Sequence, residues 1–229
     1  MNKTTLSLLL ILLCTLLPSV SMWLGLYVVK SAIWTYVFYH GFCLLPLIVL
    51  GKNLWLNTWR APDLKSIILL MLGSLILSAG TVLLYEWKGH VVLSNDNVFA
   101  LLNRIGYTKA AFWPLSFYIV LVNPLVEELY WRGVILNKLD QFNLKIKWFG
   151  IIWSSLMYAA FHYWICRLVV FSGWAEIGTI MLAFYGAMLA LIYRRTGSII
   201  TTSIAHGLLT DMAAVMLLLD FLRRYPSLL

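Results

Sequence analysis

NPLVEELYWRG, Asn123 to Gly133, puts two adjacent glutamates and an arginine within six residues of a stretch that is otherwise apolar. The surrounding run, Ala111 to Leu136, is long enough to cross ~30 Å of hydrocarbon as a helix. An ionisable residue at mid-bilayer costs about 2.5–3.5 kcal/mol on insertion scales, so Glu127, Glu128 and Arg132 must face protein or water. Whether this is a membrane span or the charged face of a soluble helix is decided by the rest of the chain. Its 229 residues are 62% hydrophobic and only 11% charged, and apolar runs of about 20 residues recur along it, which excludes a soluble domain. The fold class is all-α: a polytopic integral membrane helical bundle.

About seven spans (six to eight) are expected: Leu6–Val29, Ala32–Leu50, Leu64–Tyr85, Ala111–Leu136, Trp148–Phe171, Ala175–Tyr193 and Ser198–Leu219. They form one membrane domain, with N-terminal helices and surface loops in 1–110 and the core that carries the chemistry in 111–229. The N-terminal lysine and leucine-rich run imitate a signal peptide, but apolar character continues to Val29 without a small-x-small cleavage site, so a retained first span is expected. GKNLWLNTWRAPD sets Trp55 and Trp59 beside basic residues, the composition of a segment at headgroup level. The connection from Glu86 to Lys109 holds a VFALLNRI run too short to span, which predicts an amphipathic surface helix.

The net charge of +8 comes from lysines and arginines spaced singly or in pairs between apolar runs. They serve topology and lipid headgroups, and no nucleic-acid partner is expected. Cys14, Cys43 and Cys166 lie in or beside apolar runs with no CxxC or Cys/His ligand spacing, so neither a disulfide framework nor a zinc site follows from them.

Within the opening stretch the charges divide. Glu128 and Arg132 are four apart on one helical face, carboxylate first, the better ordering for a pair. Glu127 lies 100° around the helix and can point into an adjoining cavity, where a carboxylate free of a partner suits a general base. Pro124 removes a backbone hydrogen bond where water would have to enter. Two further spans add polar residues: SSLMYAAFHYW holds Tyr158 and His162, and TTSIAHGLLTDM holds His206, Thr210 and Asp211. A lone intramembrane histidine is as well explained by packing, but two of them with a Glu-Glu-x-x-x-Arg on a third span point to a shared site.

In order and placement, EELYWRG, Tyr158-x-x-x-His162 and TGSIITTSIAHGLLTD resemble the three motifs of the CPBP (Abi) family of intramembrane proteases, which includes type II CAAX prenyl endopeptidases and bacteriocin-processing and immunity proteins. The resemblance covers Pro114 to Ala213. It implies that Glu127 is the catalytic glutamate, that Glu128 and Arg132 complete the first motif, and that His162 and His206 are the two essential histidines. Two positions depart from the pattern. Tyr158 stands where phenylalanine is usual, and Thr210 where asparagine usually follows the last histidine by four. Thr210 shares a helical face with His206 and could donate a hydrogen bond, whereas Asp211 at five residues is expected about 140° away. Tyr158 and Asp211 are thus candidates for the substrate-facing or supporting shell.

The resemblance and the residues together imply hydrolysis of a peptide bond by water activated on Glu127, with His162 positioning the water and His206 and Thr210 stabilising the oxyanion. Ser154, Ser155, Ser198 and Ser203 lack a G-x-S-x-G element and read as packing serines. No cofactor is expected: two histidines and two glutamates could ligate zinc, but there is no H-E-x-x-H and Arg132 competes for the acidic pair. The expected partners are the lipid bilayer and a hydrophobic or membrane-anchored peptide or protein. The compact chain resembles bacterial members, which implies a bacterial inner membrane. Two alternatives stay open, a catalytically silent scaffold or bacteriocin-immunity protein on the same fold, and a transporter.

Overall fold

The structure, a computed structural model, describes residues 3–104, 109–142, 146 and 148–225. Eight helices matter here: α1 (Thr5–Val29), α2 (Ala32–Leu50), α3 (Leu64–Val92), α4 (Asn95–Arg104), α5 (112–140), α6 (Phe149–Val169), α7 (Trp174–Thr196) and α8 (Ile199–Arg224). Among the described residues no strand forms beyond an isolated Leu93–Val170 pairing. The all-α membrane bundle is what the composition predicted. Length and apolarity mark five of the helices as candidate spans, α1, α2, α3, α7 and α8, rather than seven. The remaining two expected spans, α5 and α6, are helical but carry polar side chains that lower their apolar content. Those side chains, Glu127, Glu128, Arg132, Ser154 and Ser155, are buried against other helices.

The bundle is turned apolar side out. On α3 the large side chains Leu75, Ile76, Leu83 and Leu84 are exposed, while the buried positions are Ser74, Ser78 and Gly89. Lipid gives helices no hydrophobic reason to associate, so close approach of small residues and interior polar contacts hold them instead. The core centres on α5, where Trp131 stacks on Phe161 of α6 at 5.9 Å between centroids and Tyr39 of α2 packs on the same ring.

Both expected surface elements are resolved in more detail. After α3 runs on to Val92, α4 follows and sets Phe99 against Phe221 of α8; residues 105–108 of that connection lie outside the described residues. Between α2 and α3 the Trp55 indole donates to the Ile48 carbonyl at 2.9 Å and packs under Gly133 of α5, so this tryptophan ties the connection to the core.

Helix α5 alternates between α and π geometry, with π turns at Tyr118–Val122 and Leu129–Leu136. Pro124 lacks the N–H that would otherwise serve the carbonyl of Val120, and the first π turn lies where that bond is missing. The Val120 carbonyl faces Gly207 of α8 so closely that a Cβ there would lie 2.1 Å from the oxygen. Only a glycine allows this approach, and it brings His206 up to α5.

Candidate active site

Three helices deliver the site. On α5, Arg132 Nη1 donates to Glu128 Oε1 at 2.7 Å, and both side chains are essentially inaccessible, at 1% and 0% exposure. Arg132 Nη2 donates to the Gly186 carbonyl of α7 at 2.8 Å, and the guanidinium lies 5.1 Å from the centre of the Tyr158 ring. A buried charge needs this combination of opposite charge and hydrogen bonds. The Glu128–Arg132 pairing expected from the four-residue spacing is present.

His206 of α8 completes the pair. Its Nδ1 lies 2.9 Å from Glu128 Oε1, the oxygen Arg132 already uses, so the ring donates to Glu128. Nε2 then faces the tyrosine hydroxyl of Tyr158 at 3.1 Å, Asp211 Oδ1 at 3.7 Å and Glu127 Oε2 at 3.9 Å. Glu127 itself is buried, and its Oε2 makes no hydrogen bond among the described residues; the Tyr39 hydroxyl lies beside it without closing one. An unpartnered carboxylate oxygen in the interior is costly as structure alone, and it is free to bind water.

His162 sits on α6 one turn beyond Tyr158. Its Nδ1–H donates to the Tyr158 carbonyl at 2.8 Å, which leaves Nε2 as the nitrogen with a lone pair to offer. The ring packs on Phe161 at 4.0 Å. Its geometry links it to Tyr158 and through that residue to His206.

Thr210 and Asp211 exchange the places that α-helical spacing gave them. Gly207–Asp211 is a π turn, whose hydrogen bonds run to the fifth residue rather than the fourth, so Asp211 comes round to His206. Thr210 Oγ1 meets the His206 carbonyl at 2.9 Å and the Tyr185 hydroxyl of α7 at 2.8 Å, so its one proton and its lone pairs are engaged away from the ring nitrogens. The expectation that Asp211 turns away is corrected by this change of helix type.

The structure also adds a residue that the motifs did not flag. His40 of α2 is buried, with Nδ1 hydrogen-bonded to the Tyr118 hydroxyl, and the Asn123 side chain lies against both His40 and Asp211. An ionisable residue inside the Ala32–Leu50 run was the available signal. The four serines divide as packing groups: Ser154 donates to the Ile151 carbonyl at 3.3 Å, and Ser198 caps α8 by accepting from Thr201 N at 3.0 Å. Ser155 and Ser203 are buried without a base in hydrogen-bond contact. No three His, Cys, Asp or Glu side chains among the described residues converge in metal-ligating geometry.

Residues 109–210 match the profile of the family described as type II CAAX prenyl endopeptidase Rce1-like, and that segment is a domain of this family. The match takes in α5 to α7 and α8 as far as Thr210. His40 and Asp211 fall outside it. No curated protein matches the chain.

Proposed function

We propose that this multi-pass membrane protein, whose residues 109–210 belong to a family of proteases, is an intramembrane endopeptidase that uses Glu127 to activate water. Glu127 takes a proton from water as the hydroxide adds to the scissile carbonyl carbon. The oxyanion forms near His206 Nε2, which Glu128 keeps oriented. Collapse breaks the C–N bond, and the proton on Glu127 passes to the leaving amine. Glu128 and Arg132 hold the histidine, and His162 offers its free nitrogen to the water. No metal takes part: the guanidinium beside Glu128 disfavours a dication.

One observation carries this reading. Of two adjacent buried glutamates, Glu128 is held through Oε1 by Arg132 and His206, whereas Glu127 has no such ion pair and its Oε2, without a hydrogen bond among the described residues, lies 3.9 Å from the histidine that Glu128 orients. A scaffold has no use for that oxygen, because an apolar side chain there would be at least as stable. The substrate is a hydrophobic or lipid-attached peptide or protein tail able to enter between helices, and the setting is a bacterial inner membrane.

The test uses the full chain in proteoliposomes with an internally quenched, farnesylated peptide ending in a CAAX box, alongside unprenylated apolar peptides. Glu127→Gln should abolish cleavage while the protein stays folded and inserted. Cleavage surviving in a stable Glu127→Gln or Glu127→Ala protein refutes the mechanism. Stoichiometric zinc required for turnover refutes its metal-free form.

A further inference from the structure

Resting on that reading, we infer that the Tyr158 hydroxyl is the second hydrogen-bonding group at the oxyanion position, the task that Thr210 at its place in the motif does not perform. The two departures of this chain from the family pattern touch the same histidine. Tyr158 adds a hydroxyl to an aromatic position, and that hydroxyl stands 3.1 Å from His206 Nε2. Thr210 replaces an amide with a shorter side chain, and its hydroxyl is spent on Tyr185 and on the His206 carbonyl.

The direction of each hydrogen bond follows from the donors present. With Nδ1 donating to Glu128, Nε2 is the ring atom turned toward Glu127, Asp211 and Tyr158. With these two atoms 3.1 Å apart, there are positions from which a substrate carbonyl oxygen reaches Nε2 and Tyr158 Oη together. With His206 as an imidazolium, protonated on both ring nitrogens, donors from α6 and α8 converge on one atom, the arrangement that stabilises developing negative charge. Tyr158 is itself held: it is 1% exposed, its ring is flanked by the Arg132 guanidinium at 5.1 Å, and a Cβ on Gly186 would come within 3.1 Å of it. A ring fixed this way delivers its hydroxyl without reorganisation during the reaction. Asp211 Oδ1, 3.7 Å from Nε2, would oppose the oxyanion as a carboxylate, so a neutral donor at the same nitrogen has a defined purpose.

The experiment is a mutational cycle on the full chain with the farnesylated quenched peptide, run with ¹⁵N-histidine NMR of the protein in micelles. Tyr158→Phe, which keeps the ring, should lower kcat about 10²-fold with little change in KM and should shift the His206 Nε2 resonance. Thr210→Val should cost at least tenfold less. Tyr158→Phe with Thr210→Asn restores the family pattern and should recover at least about tenfold of the loss, a rescue that a purely structural role for Tyr158 does not produce. Full turnover in Tyr158→Phe, an unmoved Nε2 resonance, or no rescue in the double variant overturns the inference. These outcomes differ from failure of the proposed function, which would show as an inactive wild type or an active Glu127→Gln protein.

Discussion

Replacing Gly207 by alanine tests whether the close approach of α8 to α5 builds the site. The new Cβ would stand 2.1 Å from the Val120 oxygen, 3.2 Å from its carbonyl carbon and 3.3 Å from Pro124 Cγ. Two of these neighbours are backbone atoms of a helix, which does not swing aside as a flexible side chain would. Reaching ordinary van der Waals separation requires the helices to part by more than about 1 Å. His206 is the adjacent residue, and its 2.9 Å bond to Glu128 does not survive such a shift. Overpacking costs about 1–3 kcal/mol, a lost hydrogen bond to a charged group about 1.5–3, and alanine returns about 1 as the better helix former. The net is a destabilisation of about 1.5–5 kcal/mol, with turnover reduced on the order of 10²-fold because the histidine is misplaced. Reversible SDS unfolding in mixed micelles reads the first quantity and peptide cleavage the second. Gly80, with nothing within 4 Å of a built Cβ, is the control, and its alanine variant should be as stable as the parent or more so. A Gly207→Ala protein of unchanged stability and turnover would refute the reasoning.

Two other perturbations separate buried from exposed electrostatics. Arg132→Met leaves the buried Glu128 carboxylate with His206 but without its guanidinium and should destabilise by about 3–5 kcal/mol in the same unfolding assay, with part recovered by adding Glu128→Gln; a neutral Arg132→Met would show that the pair is not a structural requirement. At the exposed start of α3, the Ser66 backbone N–H, 2.7 Å from Asp63 Oδ1, holds the Asp63 carboxyl below the usual carboxylate range. A group lowered on folding stabilises above its ordinary value near 4 and loses that contribution as pH falls through the folded value. Protection of the Ser66 amide from hydrogen exchange should therefore fall on acidification below about pH 4. In Asp63→Asn, whose amide caps without titrating, it should not; equal acid sensitivity in both proteins would remove the cap from the explanation.

What was legible in the sequence depended on how each residue announces itself. Charges in an apolar run are expensive enough that Glu127, Glu128, Arg132, His162 and His206 could be singled out and grouped without coordinates, and four-residue spacing was enough to pair Glu128 with Arg132. The helix count was less legible for the same physical reason. Hydropathy registers contact with lipid, whereas α5 and α6 bury polar side chains against protein, so the helices bearing the chemistry look least like spans. Spacing failed outright at Thr210 and Asp211 because it assumed an α-helix throughout. The π turn at Gly207–Asp211 begins at the residue that brings His206 up to α5, and it brings the fifth residue, not the fourth, to the histidine. Nothing in the residues GLLTD reports that change; the turn begins at Gly207, which faces the Val120 carbonyl of α5 more closely than a side chain would allow. The proline that sequence reading took as a place for water to enter α5 is thus tied to the contact that seats α8. The group facing His206 therefore sits in a turn that starts at a contact between two helices, a relation that residue spacing within α8 does not carry.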